Sequence, residues 1–149
     1  MVLIVDTREQ APLTFSACEG VSILRQYLPV GDYSTPGSKS VVERKSVADL
    51  YSSFTSNYDA ERAKILKAKE LNLKYILGIE ASATELRKGH SYWSGGEMHE
   101  SKKSGISMIR QLMTITHKYG VEVWFTDGKK DLAFRIMEYF LAEERLAKV

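Results

Sequence analysis

The amino-acid sequence predicts an α/β sandwich with a central mixed β-sheet. Short apolar runs typical of buried strands alternate with longer segments of helical periodicity, which favours strands and helices packed in layers. A Pro36-Gly37 pair between two strand-like segments predicts an antiparallel hairpin, so the sheet is not purely parallel. The chain has 149 residues without repeats or linker-like stretches, and we expect one domain over residues 1–149.

The first half of the chain is expected to supply four strands and two helices. Met1–Val5 is continuously apolar, which is typical of a strand buried on both faces. The segment Ser46-Val47-Ala48-Asp49 matches a capping box, so a helix should begin directly after Lys45. The predicted elements of this half are strands at Met1–Val5, Val21–Leu28, 33–35 and 40–44, and helices after Lys45 and over Asp59–Leu71.

The second half is expected to complete the sheet and to add two longer helices. Apolar residues recur at helical spacing up to Gly120, which occupies a C-cap position. Asp127 is expected to cap the last helix, whose apolar stripe forms either core or a dimer surface. The predicted elements are a strand over Lys74–Ile79, a mobile loop over 81–103 with room for a short helix, a helix ending before Gly120, a strand over Val121–Phe125, and a helix with its stripe at Ala133, Ile136, Met137 and Phe140.

Composition and charge limit the class of protein. The hydrophobic share of 44% and the charged share of 27% are ordinary for a globular chain, and no apolar run reaches the length of a membrane span. A net charge of +2 permits nucleic-acid binding but excludes a histone-like polycation. The single cysteine, Cys18, excludes an internal disulfide and a cysteine-based metal cluster, and is expected to serve packing. We therefore expect an intracellular protein, cytoplasmic or nucleoid-associated if prokaryotic or viral and nuclear if eukaryotic.

Two carboxylates are predicted to meet at one end of the hairpin. Asp32 follows Gly31 at the start of one strand and Glu43 lies near the end of the other, so pairing of these strands brings them together. Convergent carboxylate oxygens form a hard site suited to Mg²⁺ or Mn²⁺. Asp6 and Glu9 follow a separate buried strand, where carboxylates are costly unless they are paired or bound to metal.

Lys45 is the candidate cation of this site. It lies two residues after Glu43 on the same predicted strand, so both side chains project from one face. A divalent metal, a positioned water and a cation near the phosphate are what phosphodiester hydrolysis requires. The alternative is that Glu43-Arg44-Lys45 is solvated surface and that Asp49 only caps its helix. Carboxylates at the ends of several buried strands favour a site.

The same residues carry a resemblance to a known family. Gly31-Asp32, a gap, Glu43-Arg44-Lys45, three residues and then Asp49 resemble the signature of the XPF/Mus81 (ERCC4-domain) family of structure-selective nucleases. The segment Val5-Asp6-Thr7-Arg8-Glu9 resembles the end of that family's first strand. The resemblance covers nearly the whole chain and implies a restriction-endonuclease-like three-layer sandwich with a central mixed β-sheet. It covers the nuclease domain only, without the helix-hairpin-helix module that relatives usually carry.

The resemblance implies roles for individual residues. Lys45 would be catalytic, with Arg44 and Asp49 completing the motif. Asp49 would cap its helix and pair with Arg44 or Arg8, and Arg8 would hold a phosphate or a carboxylate. The implied cofactor is one or two Mg²⁺ or Mn²⁺ ions, and the implied partners are branched DNA and a second nuclease domain in a homodimer or heterodimer. The implied metal ligands are Asp32 and Glu43, with contributions from Asp6 and Glu9.

A basic loop with aromatic residues is a second candidate for contact with DNA. Rings beside cations are what single strands and frayed ends stack on, although a solvated loop with a packed tryptophan is the more common arrangement. The lysines of the second helix are expected to form a solvated face, and the histidines, which lack metal-ligand spacing, to be structural. The candidate DNA contacts are Arg87, Lys88, Trp93, Lys102 and Lys103, the solvated lysines are Lys64, Lys67 and Lys69, and the histidines are His90, His99 and His117.

The expected function is hydrolysis of phosphodiester bonds in branched DNA, such as flaps, forks or junctions, in repair or recombination. One alternative is a catalytically inactive partner that binds DNA and dimerises with an active subunit, but the motif residues Asp32, Glu43, Lys45 and Asp49 are all present. A second alternative is a restriction or junction-resolving nuclease of the same fold, which no feature of the sequence excludes.

Overall fold

The computed structural model describes residues 1–15 and 20–148, and Cys18, which was expected to serve packing, lies outside them. The strands are β1 (Val2–Val5), β2 (Ser22–Arg25), β3 (Tyr33–Ser34), β4 (Ser40–Lys45), β5 (Lys74–Ile79), β6 (Ser91–Ser94), β7 (Glu97–Glu100) and β8 (Glu122–Phe125). The helices are α1 (Val47–Ser53), α2 (Tyr58–Glu70), α3 (Ala83–Arg87), α4 (Gly105–Tyr119) and α5 (Lys129–Ala147).

The central sheet has six strands in the order β2-β1-β3-β4-β5-β8 and is mixed, as the sequence predicts. β3 runs antiparallel to β1 and β4, whereas β1 pairs with β2, β4 with β5, and β5 with β8 in parallel. The predicted hairpin is confirmed, with Tyr33 opposite Val42. Because β3 is antiparallel to both neighbours, its first residues lie beside the last residues of β1 and β4. Asp6 directly follows β1 and Asp32 directly precedes β3. Glu43 and Lys45 lie in the last half of β4, so these side chains share one edge of the sheet.

Helices cover both faces of this sheet and give a three-layer arrangement. Alternate residues of a strand point to opposite faces, so Val41 packs with α1, α2 and α4, while Val42 packs with α5. The apolar stripe of α5 is buried in the core cluster that also contains Val42, so of the two predicted roles, core and dimer surface, it has the first. Its members are Ala133, Ile136, Met137 and Phe140.

The segment over 81–103 is more regular than expected. It contains α3 and an antiparallel hairpin, β6–β7, in place of a mobile loop. The turn of this hairpin is Gly95-Gly96, and both residues have positive φ (62° and 79°), as the twist of a two-residue hairpin turn requires. Both faces of β6 are exposed, so the apolar-polar alternation that predicts a strand is missing from the sequence.

The ends of the helices follow the predicted signals with one exception. The Ser46 hydroxyl accepts a hydrogen bond from the Asp49 N–H at 3.2 Å and begins α1, and Gly120 ends α4 in the left-handed conformation. The prediction that Asp127 caps the last helix is wrong. Gly128 is the N-cap of α5, and the Asp127 N–H instead donates to the Asp131 carboxylate at 2.8 Å. Within the described residues, none of the helices combines the length and apolar character needed to cross a bilayer.

Candidate active site

Asp32 and Glu43 meet where β3 begins and β4 ends. The Asp32 N–H donates to the Val42 carbonyl at 2.8 Å, and its carboxylate accepts the Arg44 N–H at 2.8 Å, so two bonds fix the residue against β4. Gly31 has φ of +84°, and a Cβ there would lie 2.8 Å from the Val41 Cβ. A glycine is therefore required for the chain to approach β4 closely enough to place Asp32.

The environment of this pair fits a cation. Burial raises the pKa of Asp32 to about 8, and the negative charge of Glu43 adds to the effect. Glu43 is itself buried, so two carboxylates repel each other in a poorly solvated place. Among the described residues, no group of three or more Asp, Glu, His or Cys side chains is arranged around one point. A cation here would therefore be held by two carboxylates and by water or substrate, which is a common mode for Mg²⁺.

Asp6 is buried, but the protein already uses its oxygens. They accept hydrogen bonds from the Leu28 N–H at 2.8 Å, the Arg8 Nε at 2.8 Å and the Arg8 N–H at 3.2 Å. Burial opposes ionisation, but these hydrogen bonds outweigh it and lower the pKa of Asp6. Arg8 also donates to the Leu28 carbonyl at 2.7 Å. The pair thus ties the end of β1 to the segment after β2, and a metal-binding role for Asp6 stays a prediction.

Arg44 projects from the face of β4 opposite to Glu43 and Lys45. Its Nε contacts the Glu80 carboxylate closely, and its Nη1 lies 3.9 Å from Glu9. The expected pairing of Asp49 with Arg44 or Arg8 is not formed. Asp49 is exposed in the first turn of α1, while Arg44 pairs with Glu80 and Arg8 with Asp6. Glu80 was not predicted as a partner of Arg44. Its position directly after the buried strand β5 was the sequence feature that could have indicated it.

Lys45 projects from the same face as Glu43, as the strand period predicts. Its Nζ lies 3.2 Å from a carboxylate oxygen of Glu61 on α2 and 2.8 Å from the Ser53 hydroxyl. The Tyr75 hydroxyl is shared between Glu61 at 2.9 Å and Glu43 at 3.1 Å. Burial raises the pKa of Tyr75 well above its usual value, so the tyrosine stays a neutral donor. A continuous polar network therefore joins Glu43 to Lys45 beneath α2.

Lys64, expected on a solvated face, belongs to this network. Its Nζ lies 3.6 Å from Glu43 and 3.8 Å from Glu61. Burial disfavours its charge, but the two carboxylates outweigh burial and raise the pKa of Lys64. Glu61 and Tyr75 were also missed by sequence reasoning, because α2 is rich in charges without an amphipathic period that would mark an inward face.

A groove of about 400 Å³ opens over the carboxylates. Four acidic side chains line it, together with three cationic ones and the Pro29–Gly31 segment. The candidate DNA contacts predicted in the basic loop do not line this groove. Arg87 and Lys88 are at the end of α3, Trp93 is 70% exposed on β6, and Lys102 and Lys103 follow β7. The acidic lining residues are Asp6, Glu9, Asp32 and Glu43, and the cationic ones are Arg8, Lys64 and Lys67.

The mixed sheet between two helical layers is similar to that of solved XPF structures, and the fold is of the restriction-endonuclease-like type. The model of the ERCC4 domain matches residues 5–137, and the chain belongs to that family. This membership supports its assignment as a DNA endonuclease domain. The predicted resemblance is thereby confirmed.

Solved structures share the fold. XPF from Aeropyrum pernix matches with a TM-score of 0.71 and 22% identity over 99% of this chain and 68% of that chain. A second structure of XPF from Aeropyrum pernix, described as a complex with DNA, matches with a TM-score of 0.68 and 19% identity over 97% of this chain and 65% of that one. Comparison with curated proteins gives no match.

Proposed function

We propose that the chain is a divalent-metal-dependent endonuclease that hydrolyses phosphodiester bonds in branched DNA, such as flaps, forks or junctions, in repair or recombination. The observation that carries the proposal is the pair formed by half-buried Asp32 and buried Glu43, with Lys45 on the same face of β4 as Glu43. Membership of the ERCC4 domain family supports a nuclease rather than an unrelated metal site.

Asp32 and Glu43 are the residues that would hold Mg²⁺ or Mn²⁺. Both supply carboxylate oxygens, the ligands these cations prefer, and a cation would relieve the repulsion between them. Glu9 and Asp6 line the same groove and are candidates for further contacts through water. When bound, the ion would polarise the scissile phosphate and acidify the attacking water.

Cationic residues at and near the groove are proposed to contact the phosphate and to compensate its negative charge. Lys45 does not line the groove, but its ammonium group is buried on the same face of β4 as Glu43 and is held by Glu61 and Ser53. It is the cation proposed to orient water or to offset the developing negative charge. Arg8 has 58% of its side chain exposed at the groove and presents a guanidinium suited to phosphate oxygens. Lys64 and Lys67 extend the positive rim along α2. Arg44 acts as a positioning residue, because it holds Glu9 and Glu80 rather than facing the groove.

The substrate and the partner chain are proposed from the family. A fold neighbour is described as a complex with DNA, which supports DNA as the ligand of this groove. A homodimer or heterodimer through the nuclease domain is proposed on the same ground, and light scattering of the purified chain tests the homodimer. The presence of Asp32, Glu43, Lys45 and Asp49 favours an active subunit over an inactive DNA-binding partner.

Cleavage of matched DNA substrates tests the proposal. Labelled linear duplex, flap, fork and four-way junction are incubated with Mg²⁺ or Mn²⁺ and the wild type, Asp32→Ala or Lys45→Ala. We expect cutting of the branched substrates and a loss of about 100-fold or more in each variant. Asp59→Ala, an exposed aspartate on α2, is the matched control and should cut normally. Equal cutting by all variants would refute the site, and equal cutting of linear duplex would favour the restriction-like alternative.

A further inference from the structure

A second groove, of about 360 Å³, lies between α1 and the β6–β7 hairpin. Ala48, Tyr51 and Ser52 of α1 line it, and Thr55 continues the lining just after the helix. Ser53 on the same helix instead contacts Lys45. α1 therefore separates this groove from the network around Lys45. The separation is about one helix diameter, roughly 10 Å.

Four rings form a column that runs from α1 to the hairpin, and the first three of them line this groove. Tyr51 stacks on His90 with centroids 5.2 Å apart, His90 on Tyr92 at 5.9 Å, and Tyr92 on His99 at 5.6 Å. The interplanar angles are 27°, 23° and 23°, so the rings are nearly parallel and, at these centroid distances, offset from one another. Tyr51 is buried, but Tyr92 is 45% exposed and offers ring surface beside the groove.

The lining of this groove is more positive than that of the groove over Asp32, where acidic and cationic side chains are mixed. Lys102 and Lys103 line it together with serine and threonine hydroxyls, and no carboxylate is among the described lining residues. Neither lysine forms an ion pair with a described carboxylate. Free cations beside exposed aromatic rings attract a phosphate backbone and let its bases stack.

We propose that this groove binds unpaired nucleotides of a DNA strand. The inference rests on the proposed function only in taking DNA as the ligand. A paired base has both faces covered by its neighbours in the duplex, whereas an unpaired base has a face free to lie against the part of the Tyr92 ring that its offset neighbours leave exposed. A single-stranded arm bound here would lie across α1 from the network around Lys45.

Two of the five candidate DNA contacts in the basic loop line this groove. Lys102 and Lys103 line the groove, but Arg87 and Lys88 do not. Trp93 pairs with Met98 on the opposite face of the hairpin from Tyr92, because successive strand residues point to opposite sides. The stacking residue is therefore Tyr92 rather than Trp93.

Fluorescence anisotropy with labelled oligothymidylate, in the presence of a chelator and without divalent metal, tests the groove. We expect Tyr92→Ala to weaken binding by about fivefold or more, and Tyr92→Trp to retain it, because stacking needs an aromatic ring. The double variant Lys102→Ala/Lys103→Ala should reduce the slope of log affinity against log salt by about 1.4, the value for two lost single-strand phosphate contacts. Lys129→Ala/Lys130→Ala, an exposed pair at the start of α5, is the matched control.

The outcomes of these binding measurements distinguish failure of the single-strand groove from failure of the proposed nuclease. Wild-type affinity in both Tyr92→Ala and the Lys102/Lys103 variant would overturn the proposal, as would an equal loss of affinity for blunt duplex. If Tyr92→Ala unfolds the hairpin, the lysine variant decides, because both lysines lie outside β6 and β7. Because the binding assay contains no metal, its result does not depend on cleavage. A chain that binds single strands here but cuts nothing in the separate assay with Mg²⁺ or Mn²⁺ refutes the proposed nuclease and leaves the groove proposal intact.

Discussion

The Nζ of Lys45 lies 3.2 Å from Oε2 of Glu61, and both side chains are almost fully buried. The pair connects the motif strand β4 to α2, and the Tyr75 hydroxyl continues the connection to Glu43. A buried ammonium group without its carboxylate is costly, so Glu61 determines where the charge of Lys45 is held. Glu61 does not line the groove over Asp32, which makes it a positioning residue.

Glu61→Gln should lower kcat with little change in KM for DNA, because the variant disturbs Lys45 without removing a groove contact. It should also destabilise the fold by about 3 kcal/mol, since it leaves a buried charge unpaired. Urea denaturation of Glu61→Gln, Lys45→Met and the double variant measures the coupling of the two residues. The double variant should lose less stability than the sum of the single ones. Additive losses would show that the pair is not coupled.

Asp32→Asn should stabilise the metal-free protein at pH 8. The folded-state pKa of Asp32 is raised from 3.8 to about 8, so the folded protein binds this proton more tightly than the unfolded chain. Its contribution to stability is complete below about pH 4 and is lost as the pH rises to 8. The variant removes this loss, which amounts to a few kcal/mol at about 1.4 kcal/mol per pKa unit. Urea unfolding with a chelator at pH 5 and pH 8 measures it.

The matched control for this variant is Asp59→Asn, an exposed aspartate on α2. It should leave the pH dependence of unfolding as in the wild type. If wild type and Asp32→Asn lose stability in parallel between pH 5 and pH 8, Asp32 does not carry the raised pKa.

Asp6→Ala should lower the free energy of unfolding but leave the affinity of the protein for Mn²⁺ nearly unchanged. The carboxylate accepts hydrogen bonds from Arg8 and the Leu28 N–H, and its removal leaves a buried N–H without a partner, at about 1–3 kcal/mol. Thermal unfolding measures the stability, and titration with Mn²⁺ measures the affinity. A fall in Mn²⁺ affinity of tenfold or more, with the fold intact, would instead identify Asp6 as a metal ligand.

Lys64→Ala should weaken DNA binding, whereas Lys69→Ala on the same helix should not. Lys64 faces Glu43 and lines the groove, while Lys69 lies outside it. Loss of one phosphate contact reduces the slope of log affinity against log salt by about 0.9 for duplex DNA. Anisotropy with a labelled fork at several salt concentrations measures this slope. An equal effect of both variants would assign Lys64 to general surface charge.

Local features of the sequence determined much of the fold and the position of the motif. The strand period placed Glu43 and Lys45 on one face, Pro36-Gly37 predicted the hairpin that brings Asp32 to Glu43, and Ser46 predicted the start of α1. Each of these depends on residues within one strand, turn or helix end, where geometry follows from short-range sterics and hydrogen bonds. The β6–β7 hairpin escaped prediction because its strands bury neither face.

Only the tertiary structure decided which charges meet. The sequence contains 21 lysines and arginines and 19 aspartates and glutamates, and nothing local assigns Lys45 to Glu61, Arg44 to Glu80 or Lys64 to Glu43. Tyr51 and Tyr92 likewise join one ring column from elements 41 residues apart. The packing of helices on the sheet determines such partners, because an ion pair or a ring stack requires proximity in space. Partners on different elements show no regular spacing in the sequence from which they could be predicted.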